Sequence, residues 1–247
     1  MRSSYNRRFY HHERESSIRS AKVILPFVFG LIHPSSVVDV GCGVGAWLSV
    51  AKSLGVRRVL GVDGKWAQLQ DDFMLSDSEF QSADLSKPLR ANGEFDLAVS
   101  LEVGEHLPDS SSQYLVDSLV SLGDVVLFSA AIPGQGGTNH INEQWPSYWA
   151  RKFLKHGYLP FDFRVDFWEN DKVDYFYRQN ILMYANGEKV SYFPGLADLK
   201  CEGDPLPLVH PITLSQMVDP RSIQMKIVAR SLLFIPKRVL EKLTGSE

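Results

Sequence analysis

The stretch Val37-Val38-Asp39-Val40-Gly41-Cys42-Gly43-Val44-Gly45-Ala46-Trp47 limits what this chain can fold into more than any other. Val37, Val38 and Val40 are β-branched and form a short apolar run, as a strand buried inside a parallel sheet requires. Gly41, Gly43 and Gly45 then let the backbone turn sharply and approach a ligand more closely than any Cβ allows. The helix expected from Ala46 to Leu54 points its free N–H groups into that turn. Strand, glycine turn and helix in this order make a nucleotide-type binding site.

Further strands follow at short spacing. They are expected over 57–62, ending in Asp63-Gly64; over 80–83, ending at Asp84; over 95–100, leaving into 102–108; and over 124–129. Helical patterns alternate with them, over 66–75, over 114–122 with Leu115, Leu119 and Leu122 on one face, and over 142–156 before Gly157. This alternation predicts an α/β fold with a doubly wound sheet and right-handed crossovers. In such sheets ligands bind outside the carboxyl ends of the strands. Gly41–Gly45, Asp63, Asp84, Glu102–His106 and the loop 130–140 should therefore converge on one face. Two aromatic-rich segments, 161–168 and 174–185, read as long antiparallel strands separated by Glu169-Asn170-Asp171.

Three regions are expected: an N-terminal helical cap over 1–34, the sheet domain over 35–188, and a C-terminal loop with an amphipathic helical extension over 189–247. Val23, Ile24, Phe27, Val28 and Leu31 recur at helical spacing around Pro26, and place the cap over the mouth of the sheet. Over 219–243, Arg221, Lys226, Arg230 and Lys237 oppose Ile223, Ile227, Leu233 and Leu240. That helix either packs on its own domain or on a second copy, or docks on a membrane surface. The 26 Lys and Arg against 29 Asp and Glu leave a net charge of −3, no general attraction to nucleic acid. Cys42 and Cys201 stand too far apart for a disulfide framework or metal spacing, which suits a reducing, cytoplasmic setting. No apolar run reaches the roughly 20 residues of a membrane span, so no transmembrane segment is expected.

Four motifs in order, Val-Val-Asp-Val-Gly-Cys-Gly-Val-Gly (37–45), Gly-Val-Asp (61–63), Ala-Asp-Leu (83–85) and Phe-Asp-Leu-Ala-Val-Ser-Leu-Glu-Val-Gly-Glu-His-Leu (95–107), resemble class I S-adenosylmethionine-dependent methyltransferases. The resemblance spans 35–185. It implies a Rossmann-like, seven-stranded sheet whose last strand is antiparallel, with S-adenosylmethionine as cofactor. Asp63 alone suits a nicotinamide cofactor equally well; Asp84 is what separates the two. By position, Gly41, Gly43 and Gly45 would approach the methionine part, Asp63 the ribose, and Asp84 with Leu85 the adenine. Asp39, Ser100, Leu101 and Glu102 would line the same cleft.

Glu102, Glu105 and His106 stand at i, i+3 and i+4, so one helical turn would put them on one face. His140 returns to the same mouth in the implied topology. Two readings of this set stay open. In one, His106 or His140 is the general base of an O-methyltransferase whose acceptor is a hydroxyl of a small molecule or glycan. In the other, Glu102, Glu105, His106 and His140 hold a divalent metal (Mg, Mn, Fe or Zn), as a similar set does in the small-RNA 2′-O-methyltransferases. Ribose methylation of RNA ends is then an alternative, although no basic RNA-binding surface is evident. A partner subunit that keeps the fold without catalysis is a third.

Overall fold

Neighbouring residues of each strand feed two separate cores. The computed structural model describes residues 7–89 and 93–219, with side chains from residue 14. Its strands are β1 (Ser36–Val40), β2 (Arg58–Asp63), β3 (Phe80–Ser82), β4 (Leu97–Leu101), β5 (Val125–Ser129), β6 (Tyr158–Phe161) and β7 (Leu182–Asn186). Val37, Val99, Leu127 and Met183 face one core, which α1 (Arg7–Ile32) and α2 (Ala46–Ser53) cover with Ala21, Ile24, Val28, Trp47 and Leu48. Val38, Ala98, Val126 and Tyr184 face the other, covered from α4 (Ser112–Leu122) and α5 (Pro146–Leu154) by Leu115, Leu119, Trp149 and Phe153. Helices on both faces are what central strands apolar throughout demand.

The strands form one sheet in the order β3-β2-β1-β4-β5-β7-β6. β1 to β5 run parallel, and β7 lies antiparallel between β5 and β6. This is the expected seven-stranded, Rossmann-like sheet with its last strand antiparallel. Strand order reverses between β1 and β4, and that switch point opens a crevice above their carboxyl ends. Short elements border it: α3 (Lys65–Gln68), a 3-10 turn over Gly104–His106, and α6 (Tyr175–Asn180).

Several elements differ from expectation. The first helix begins at Arg7 rather than near Val23, because Ile18 and Ala21 extend the stripe that Ile24, Leu25 and Val28 continue. Pro26 sits within it on the exposed side, where water can take the carbonyl its missing N–H leaves free. The two long C-terminal strands do not exist as read: strand structure occupies only 158–161 and 182–186, and 164–167 and 175–180 are helical. Phe163 and Phe167 turn back onto Phe27 of α1, with ring centroids 5.5 and 5.3 Å away. Aromatic β-propensity loses here to packing. The helix expected from residue 142 starts at Pro146, because Ile141 and Asn142 donate their N–H groups to the Glu105 carbonyl and Gln144 to that of Ala131.

The chain divides into two units, 1–208, which holds the sheet, and 209–247, whose described part carries α7 (Pro211–Met217). From residue 220 on, the amphipathic stretch lies outside the described residues. No helix among the described residues is long and apolar enough to cross a membrane.

Candidate active site

The turn after β1 is held by the neighbouring strand: the N–H groups of Gly41 and Cys42 both donate to the Val62 carbonyl, at 2.7 and 3.3 Å. Its glycines are needed for different reasons. A Cβ on Gly41 (φ +90°) would lie 2.2 Å from Val103 Cγ2, and one on Gly45 (φ +86°) 2.6 Å from Leu75 Cγ. Gly43 (φ +52°) would meet nothing within 4 Å. Two glycines serve the protein's own packing; the third leaves open space for a ligand. Asp63 closes the turn, accepting from the Gly43 N–H at 2.9 Å and the Gly64 N–H at 2.6 Å. Burial raises its pKa against the lowering effect of those amides.

A cleft of about 1300 Å³ opens above the switch point. That exceeds the space a single drug-sized ligand usually fills, and so has room for two molecules. Gly41, Gly43, Asp63, Asp84 and Leu85 line one half; Leu101, Glu102, Glu105, His106 and His140 line the other. Asp84 is exposed, and hydrogen bonds from Ser86 and Lys87 hold its pKa down to about 2. Three expected lining residues do not reach the cleft. Asp39 is buried beneath the turn, its pKa pushed up to about 8 by burial and the neighbouring Asp63. Ser100 is fully buried and donates its hydroxyl to the Val40 carbonyl, tying β4 to β1. Gly45 packs on Leu75.

The other half is built from side chains. Glu102 leaves β4 in a left-handed conformation (φ +55°), so it stands before the 3-10 turn and not on one helical face with Glu105 and His106. Its carboxylate accepts from Asn180 Nδ2 at 3.1 and 3.3 Å and from Gln135 Nε2 at 3.2 Å. Glu105 is fully buried, and neither carboxylate oxygen has a hydrogen-bond partner. Burial and the charge of Glu102 drive its pKa far up. The Glu105 carbonyl, by accepting from Ile141 and Asn142, brings His140 beside His106, with ring centroids 4.9 Å apart. Glu105, His106 and His140 each offer a ligand atom within 4.8 Å of the others. Three of the four expected metal donors thus meet; Glu102, beside Glu105 but engaged by Asn180 and Gln135, is not one of the three. Partial desolvation and the adjacent His140 lower the His106 pKa. His140 Nδ1 lies 3.2 Å from Glu143 Oε1, which fixes the imidazole from behind.

Ser16 and Ser17 of α1 and the aromatic Tyr175, Phe176 and Tyr177 of α6 complete the walls; of these, only the two serines had no signal in the sequence. Asp174 joins these two elements, accepting from Ser16, Ser20 and Arg19. Gln135, placed in a glycine-rich loop, gave no signal beyond loop composition. Reading 174–185 as a strand also hid Asn180, which needs the end of α6 to face Glu102.

An open sheet with this strand order, and a glycine turn at its switch point facing an acid on the next strand, is the fold of the class I S-adenosylmethionine-dependent methyltransferases. The chain belongs to the methyltransferase-domain family, whose model matches residues 10–156. Among solved structures, the methyltransferase domain of bacterial CtHen1-C is similar over 69% of this chain and 99% of that one, at 18% identity and TM-score 0.52. Magnesium protoporphyrin IX methyltransferase from Synechocystis PCC 6803, with bound SAH, is similar over 75% and 90%, at 18% identity and TM-score 0.51. Human N-acetylserotonin methyltransferase in complex with SAM is similar over 73% of this chain but only 54% of its own length, at 18% identity and TM-score 0.50. No curated protein matches the sequence.

Proposed function

We propose that this protein transfers the methyl group of S-adenosylmethionine to a hydroxyl of a small molecule or glycan, with Glu105, His106 and His140 activating the acceptor. The observation that carries the proposal is the meeting of these three side chains on the wall of a cleft whose other half is a glycine turn. Gly43, which a Cβ would fill, and Asp63 and Asp84 are the residues to hold the donor at its methionine, ribose and adenine parts. When bound, that donor supplies a methyl group already activated on a sulfonium. The protein's task is then to orient the acceptor and remove its proton.

The buried, unpartnered carboxylate of Glu105 fits a divalent cation, because an ion would satisfy oxygens that nothing else satisfies. One carboxylate and two imidazoles suit Mn²⁺, Fe²⁺ or Zn²⁺. Glu105, His106 and His140 would hold it, and Glu143 would orient His140 from outside. Such an ion supplies Lewis acidity that lowers the pKa of the acceptor hydroxyl. The contact of Glu143 with His140 Nδ1 also favours a metal-free reading, in which His140 itself takes the hydroxyl proton through Nε2. Among the described lining residues five are acidic (Asp63, Asp84, Glu102, Glu105, Asp174) and Lys65 is the only lysine or arginine, which supports an acceptor without phosphates over an RNA end.

Calorimetric titration with S-adenosylhomocysteine, then transfer of labelled methyl to a panel of hydroxylated small molecules and glycans, tests the proposal. Saturable binding and label in an ether are expected; absence of S-adenosylhomocysteine binding would overturn it. Turnover that survives EDTA in protein free of metal by elemental analysis decides for the histidine base.

A further inference from the structure

The loop 133–139, between β5 and α5, is an unusual piece of backbone. Gly134, Gly136, Gly137 and Asn139 have φ of +87°, +70°, +153° and +61°. Residue 134 and residues 136–139 are exposed. A segment with so little apolar burial keeps its shape through a few polar anchors. Two are evident. On the inside, Gln135 Oε1 accepts from Gln179 Nε2 at 2.9 Å and Asn180 Nδ2 at 3.0 Å, and its Nε2 donates to Glu102. On the outside, Glu143 accepts from the Gly134 and Gly136 N–H groups, both at 2.7 Å. The same Glu143 carboxylate meets His140 Nδ1. Gly137 closes on the ring from the other side: a Cβ there would lie 2.3 Å from His140 Nε2.

We infer that Gln135 is a positioning residue for His140. It fastens the loop to Glu102, Gln179 and Asn180; the fastened loop presents two amides to Glu143; Glu143, so held, fixes the imidazole against His106. Glu102 also accepts from Asn180 Nδ2 through both carboxylate oxygens, independently of Gln135, so a substitution at Gln135 removes the loop's fastening and leaves Glu102 this second partner. The inference uses the proposed function only in taking His140 as part of the acceptor half.

Gln135→Met keeps the length of the side chain and removes its amide. In this variant, NMR should show the Gly134 and Gly136 amides exchanging at least about tenfold faster, since each loses the anchor that held it on Glu143. The imidazole ¹⁵N signals of His140, at fixed pH, should move with them. Protection in β4 and β5 and affinity for S-adenosylhomocysteine should stay as in the unaltered protein. Unchanged glycine exchange and unchanged His140 signals overturn the inference. So does loss of protection throughout the sheet, because Gln135 then supports the fold and not the loop. If neither protein binds S-adenosylhomocysteine, the methyl-donor reading fails by itself, and the glycine exchange rates still decide the role of Gln135.

Discussion

The two halves of the cleft are made by different means. Around Gly41–Gly45, Asp63 and Asp84 the shape comes from backbone: N–H groups on the Val62 carbonyl, glycines at positive φ, and acids at successive strand ends. Around Glu102, Glu105, His106 and His140 it comes from a side-chain network that also needs Asn180, Gln135 and Glu143. The first half is set by which residue follows a strand, and one fold can reuse it for one donor. The second depends on partners up to 78 residues apart in sequence, and can vary without disturbing the sheet. On the proposed function, that division would let a single scaffold serve different acceptors.

If the halves are independent, changes in one should leave the other's binding intact. The largest effect is expected at the acceptor side. His140→Ala should lower methyl transfer by about 10²- to 10⁴-fold, the usual worth of a general base. Its affinity for S-adenosylhomocysteine, measured by calorimetry, should stay within about twofold; a large loss there would break the comparison. Next comes the turn. Gly41→Ala forces a Cβ toward Val103 at φ +90°, so S-adenosylhomocysteine affinity should fall by about tenfold or more and thermal stability should drop. Gly43→Ala meets no neighbour and should leave stability nearer that of the parent while still weakening binding.

A smaller effect tests the buried acid under the turn. The folded-state pKa of Asp39 is raised from 3.8 to about 8, so folding binds a proton that the unfolded chain releases. Its contribution is fully present below pH 3.8 and is lost as pH rises through 8, with a slope of at most about 1.4 kcal/mol per pH unit. Denaturant melts between pH 5 and 9 should show Asp39→Asn with a flatter decline than the parent. The smallest is at Asp84, an exposed acid held by Ser86 and Lys87. Asp84→Asn should weaken S-adenosylhomocysteine by only about five- to tenfold, in line with one hydrogen bond of about 1 kcal/mol.

The backbone-built half was legible in the sequence because its information is local. A Val-rich strand, three glycines and two strand-end acids say nearly all there is to know about it. The first five strands were legible for the same reason. Much of the acceptor half was not. Glu105, His106 and His140 were read together, but the helical face that would have joined Glu102 to them fails on a single left-handed residue. No period predicts φ +55° at a glutamate; Ser129, accepting the Glu102 N–H through both its carbonyl and hydroxyl oxygens, helps hold it there. The aromatic run at 174–180 suggested a strand; in the structure it is a helix that packs beside α1 and Trp47. Asn180 and Gln135 therefore had no visible address.

The clasp of Asp174 on α1 has a consequence for the order in which the molecule is made. Ser16, Arg19 and Ser20 leave the ribosome 158, 155 and 154 residues before the carboxylate that receives them. At ordinary translation speeds of 5–20 residues per second that gap lasts roughly 8 to 30 s. The apolar stripe of α1 can settle on α2 much sooner, but its serine edge waits. One wall of the cleft is thus synthesised well before it is secured, so a nascent chain stopped short of residue 174 carries the glycine turn while the serine edge of α1 is still unfastened.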